Sequence, residues 1–145
     1  MAKKERSKRL EGIGGWLILF IIYLLILIIR QPIEVVRFFI NDYNHLPNWI
    51  VNYSLVNNAL LAIGTLLMII SLIFIFMKSK KAIKFNIFLF SFLAIVVLVE
   101  NIWYFVLVPL EISKNLFSLI FNLIIDGLVI SYFLKSKRVK NTLVK

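Results

Sequence analysis

The sequence predicts an all-α membrane protein: four transmembrane helices, with a short amphipathic helix between spans one and two. Three observations predict it. Of 145 residues, 61% are hydrophobic, and the mean hydropathy of +0.95 lies well above that of a soluble globular chain. The apolar residues fall into four runs, each near the twenty or so residues that cross a hydrocarbon core of about 30 Å at 1.5 Å per residue. The seventeen Lys and Arg collect almost wholly in three clusters between and beyond those runs: Lys3, Lys4, Arg6, Lys8 and Arg9; Lys78, Lys80, Lys81 and Lys84; and Lys135, Lys137, Arg138, Lys140 and Lys145.

Clustered cations mark the cytoplasmic ends of spans, so an even number of crossings separates each cluster from the next. Four helices with both termini in the cytoplasm is the simplest solution. The charge tally agrees with it. Cytoplasmic segments carry fourteen cations against Glu5 and Glu11, whereas on the outer segments Arg30, Arg37 and Lys114 balance Glu34, Asp42 and Glu111. The cytoplasmic segments thus carry fourteen less two, or +12, and the outer segments zero, with Glu100 and Asp126 inside spans bringing the total to +10, so the basic character belongs to one face. In a soluble protein it would point to nucleic acid; here the expected partner is a bilayer with anionic lipids at the cytoplasmic face, each juxtamembrane cation contributing about 1 kcal/mol.

The first span is expected over residues 14–29, within an apolar run that begins at Ile13 and ends at Arg30-Gln31-Pro32, with Trp16 anchoring its inner end. No small-residue cleavage site follows, so the run reads as an uncleaved signal anchor. From Gln31 to Tyr53 the composition turns polar and aromatic. Pro32 suits a first helical position, and Ile33, Val36, Phe39 and Ile40 recur at helical spacing, which predicts an amphipathic outer segment over 32–41. The second span, 55–77, carries Asn57, Gly64 and Ser71 one heptad apart, a stripe of small and amide residues that reads as its bundle-facing side. Lys78 to Lys84 is a tight loop, making spans two and three antiparallel neighbours. The third span, 85–108, contains Glu100 and Asn101 and closes at Pro109. The fourth, 116–134, places Ser118, Asn122 and Asp126 on one helix face at i, i+4 spacing. Basic tails over 1–11 and 135–145 complete a single domain.

There is no cysteine, which removes disulfides, thiolate nucleophiles and Cys-based metal sites. No cofactor and no metal site is expected: His45 is the only histidine, with a single nearby carboxylate in Asp42, and neither HExxH nor a glycine-rich phosphate loop occurs. Glu100 and Asp126 are the ionisable residues inside spans, where such groups are costly. Counted from the expected ends of their spans, both lie about 14 to 18 Å below the outer surface, so adjacent antiparallel helices would bring them near one depth. With no cation inside a span, the expected state is protonated or sharing a proton, hydrogen-bonded to Asn101, Asn122 or Ser118. Three readings stay open for Glu100, Asn101, Asn122 and Asp126: neutral interhelical glue, a proton- or cation-handling site, and contact with a partner's transmembrane helix.

The ends of the chain carry the more specific motifs. Gly12-Ile13-Gly14-Gly15-Trp16-Leu17 opens the first span, and Tyr132-Phe133-Leu134-Lys135-Ser136-Lys137-Arg138-Val139-Lys140-Asn141-Thr142 leaves the last. Together they resemble the DUF2569 family of small bacterial membrane proteins. The resemblance implies a four-helix protein of the bacterial cytoplasmic membrane, of unknown function, with no accepted catalytic residues to carry over. Where the family pattern has Phe after the threonine, this chain has Leu143. Gly12, Gly14, Gly15, Trp16, Tyr132, Phe133, Ser136, Lys137, Arg138 and Lys140 could pack together as a cytoplasmic docking surface, or serve only as an interfacial anchor and a lipid-binding tail. The leading expectation is a non-enzymatic accessory protein that docks a protein partner or a second copy; the alternative is a small proton- or cation-handling transporter subunit using Glu100 and Asp126.

Overall fold

A computed structural model of the chain describes residues 15–42, 47–107 and 112–143. All its elements are helical: α1 Trp16–Arg37, continued by a π-helical turn Phe38–Asp42, then α2 Asn48–Phe76, α3 Lys81–Leu107, α4 Ile112–Lys135 and the short α5 Lys137–Thr142. No strand occurs among the described residues. Four of the helices are long and apolar enough to cross a membrane, as the composition predicts. Many large apolar side chains are exposed along them, Ile26, Leu66, Ile95 and Phe117 among them, which suits lipid and would be untenable in water.

The helices outrun the apolar stretches that announce them. α2 begins seven residues before the expected start of span two, and α4 begins at Ile112 rather than near 116. Backbone groups must stay hydrogen-bonded on approach to the hydrocarbon, so the helix continues through the polar boundary. Residues 32–41 are helical as expected but form no separate helix: α1 runs through Pro32 without a break. Pro32 withholds one backbone donor. Across it, Glu34 lies 3.8 Å from Arg30 and 3.7 Å from Arg37, i,i+4 and i,i+3 pairs that favour continued helix, each worth at most about 1 kcal/mol at this exposure.

Neighbours in sequence are neighbours in space, α1 on α2, α2 on α3 and α3 on α4. The core sits at one end, the end bearing the basic turn between α2 and α3. Leu17, Phe20 and Leu24 of α1, Met68 and Ile75 of α2, Ala82, Leu89 and Phe90 of α3 and Phe133 of α4 are buried in one cluster there. Phe20 ties α1 to α4 by an edge contact with Phe133, ring centres 4.9 Å apart, and to α3 through Phe90 at 5.6 Å. The opposite half holds little of this core.

The turn at the basic end is closed by its own backbone. Lys78 adopts a left-handed conformation with φ 52°, its N–H bonds Ile75 O at 3.0 Å, and Ser79 N–H reaches Phe74 O at 3.0 Å, the paired bonds of a Schellman cap. Ser79 Oγ then accepts from Lys81 N–H at 3.2 Å to start α3. Lys81 and Lys84 thus lie in the first turn of α3, where the helix dipole disfavours cations, so helix stability does not account for their placement.

Candidate functional site

The heptad stripe of α2 faces α3 throughout. Asn57 Nδ2 donates to Glu100 Oε1 at 3.1 Å, and Ser71 Oγ donates to Asn86 Oδ1 at 2.7 Å. A Cβ on Gly64 would stand 3.3 Å from Leu93 Cδ2. These three pairs are symmetric about the turn at Lys78–Ser79, which is what two straight antiparallel helices in constant register require. Asn86, fully buried, also donates to Ala82 O at 2.8 Å. Sequence reasoning missed Asn86 and Leu93. Reflecting the stripe through the turn would have found both, and would have paired Glu100 with Asn57.

Glu100 and Asp126 do not share a site. Glu100 lies seven residues before the end of α3, about 10 Å, and Asp126 fourteen residues into α4, about 21 Å, so they differ in depth by about 10 Å. The expectation of one depth rested on a fourth span beginning near 116; the helix begins four residues earlier. Nor do the expected amides serve them. Asn101 Nδ2 donates to Val97 O at 2.8 Å within its own helix, and Asn122 Nδ2 lies 3.5 Å from Ser118 Oγ, a long contact along α4. Asp126 is buried on the side facing α1, in electrostatic range of the Tyr23 hydroxyl. A further bridge unmarked in the sequence joins α1 to α2: Thr65 Oγ1 is 2.7 Å from Gln31 Oε1.

Two cavities open on the helix faces. One, of about 650 Å³, lies between α2 and α3 in the half away from the basic turn, with Trp49, Tyr53, Asn57, Glu100 and Trp103 in its wall. The Tyr53 hydroxyl donates to Glu100 O at 3.1 Å, and its ring lies 6.1 Å from that of Trp103. The second, of about 420 Å³, lies between α1 and α4 near the basic end and is lined by Trp16, Leu19, Tyr23, Leu128 and Tyr132 among others.

The end motifs meet at this second cavity. Gly15 precedes α1 with φ 55° and ψ −133°, a backbone that only glycine adopts readily, so the chain turns there. Trp16 follows, 74% exposed on the cavity rim. After α4, Ser136 caps α5 by accepting from Val139 N–H at 3.3 Å. α5 turns back under the bundle: Val139 and Leu143 join the buried core, while Lys137, Lys140 and Asn141 stay exposed. Gly12 and Gly14 lie outside the described residues, as does His45, and of Arg138 only the backbone is described.

A family described as a protein of unknown function, DUF2569, matches residues 10–144. The chain belongs to the DUF2569 family. Both end motifs lie within the matched region, and the structure gives this member four apolar helices of membrane-spanning length, a multi-pass membrane protein. Leu143, which stands where the resemblance leads one to expect Phe, is fully buried. Comparison with curated proteins and with solved structures found no match.

Proposed function

We propose that this DUF2569 protein is a non-enzymatic accessory protein of the bacterial cytoplasmic membrane whose two end motifs form a cytoplasmic docking face for another membrane protein. One observation carries the reading: motifs more than a hundred residues apart in sequence converge, with Leu17, Phe133 and Val139 in one buried cluster and Trp16 and Tyr132 on one cavity. Val139 and Leu143 are buried, which holds α5 in place and leaves Lys137 and Lys140 exposed, as Trp16 is. An exposed indole and exposed lysines on the two motifs suit an amphipathic acidic segment at a partner's membrane boundary.

The intramembrane polar groups support the same reading from another side. Asn57 with Glu100, Thr65 with Gln31 and Ser71 with Asn86 are joined pairwise across helix interfaces, the arrangement of interhelical glue, typically worth below about 2 kcal/mol per contact. Purification from native membranes tests the proposal. A stoichiometric protein partner is expected with the wild type, and the double variant Trp16→Ala, Tyr132→Ala should lose it while keeping its helical content. Recovery of bulk lipid alone, or equal recovery of the same partner with the double variant, would contradict it.

A further inference from the structure

The cavity between α2 and α3 combines three features, and the Asn57–Glu100 hydrogen bond among them also serves the packing of the two helices. It holds a carboxyl group, Glu100, whose Oε1 accepts one amide hydrogen bond from Asn57 while Oε2 accepts none among the described residues. It is walled by three large aromatic side chains, Trp49, Tyr53 and Trp103. It is also large, about 650 Å³, the size of a small-molecule site. With one neutral donor this carboxyl is expected to stay protonated while the cavity is empty, and a cation bound beside it is what would stabilise the carboxylate form. Among the cations of that half whose side chains are described, Arg30 and Arg37 lie against Glu34.

The chemistry that completes this site is a cation, and the walls select its kind. A hard metal ion needs several oxygen ligands, and no group of three metal-ligating side chains occurs among the described residues. Aromatic faces favour an ammonium or phosphonium centre, which keeps its charge while tolerating an apolar shell. The position fits an amphiphile. Glu100 lies about 10 Å below the end of α3, with Trp103 one turn nearer that end, so the charge would sit in the outer part of the span, below the interfacial aromatic side chains.

We propose that the cavity between α2 and α3 binds an amphiphilic organic cation, its charged centre paired with Glu100 and flanked by Trp49, Tyr53 and Trp103. Such a cation is available as a free lipophilic compound or as the amine headgroup of a lipid. Either would enter sideways, since the cavity opens between two helices rather than along a bundle axis.

Tetraphenylphosphonium titrated onto the purified full-length chain in dodecyl maltoside micelles, followed by equilibrium dialysis, tests the site. Saturable binding at one per chain is expected, weakened roughly tenfold or more in Glu100→Gln through loss of the charge pair and roughly threefold to tenfold in Trp103→Leu. Helical content and gel-filtration profile establish that each variant is folded. Triphenylphosphine oxide, neutral and of similar shape, should bind at least about tenfold more weakly than the cation. Binding by folded Glu100→Gln within twofold of wild type, or equal binding of the neutral compound, would overturn the proposal. The source follows from competition. Displacement by phosphatidylethanolamine but not by phosphatidylglycerol supports the site with a lipid amine as its occupant, and displacement by neither supports it with a free cation.

Discussion

Lys78 occupies the left-handed position after α2 that glycine takes at most helix ends, and its φ of 52° is paired with both hydrogen bonds of the cap. A side chain there costs about 1 kcal/mol, so Lys78→Gly should raise unfolding stability in micelles by up to about that amount, read from the thermal midpoint. An unchanged or lowered midpoint would show that the cation contributes more than its backbone strain costs. Gly15 is the reverse case. Its φ of 55° with ψ of −133° lies where no other residue is comfortable, and Gly15→Ala should destabilise by about 1 to 3 kcal/mol in the same measurement. That glycine was legible in the sequence because it sits in a glycine run directly before a tryptophan at a span's end. The partner of Glu100 was not: attention to ionisable residues paired it with Asp126, although Asn57 on the heptad stripe was already in view.

At the scale of elements, the α2–α3 hairpin is the most regular part of the molecule. Its stripe of Asn57, Gly64 and Ser71 identifies the inward face of α2 from sequence alone, because only small or hydrogen-bonding residues let two helices approach inside lipid. Gly64→Val should cost about 1 to 3 kcal/mol by overpacking against Leu93, which a lowered unfolding midpoint in micelles would show. Helix ends were less legible. Hydropathy reports where lipid contact begins, whereas a helix ends where its backbone finds other partners, so α2 and α4 start several residues early and α1 passes through Pro32. The inward packing of α5 was also hidden. Lys137, Lys140 and Asn141 disguise Val139 and Leu143, whose i, i+4 spacing is the one signal that a buried face exists.

The whole molecule is asymmetric, with its core gathered at the basic end and a wide cavity in the opposite half. This could not be read from the four spans, whose apolar composition is uniform along their length and does not say which residues meet helix and which meet lipid. Three cation clusters predict which end faces the cytoplasm. With no native cysteine, single replacements report that orientation without background. Lys80→Cys and Asn141→Cys should react with an impermeant maleimide only after the membrane is opened, and Asn48→Cys before it is. The central claim is that the converged end motifs hold a partner there. A photoreactive benzoylphenylalanine placed at Asn141, compared with one at Phe117 on the far half of α4, tests it most directly. One discrete protein adduct is expected from position 141 and none of that mass from position 117. Lipid adducts alone at 141, or the same adduct from both positions, would contradict it.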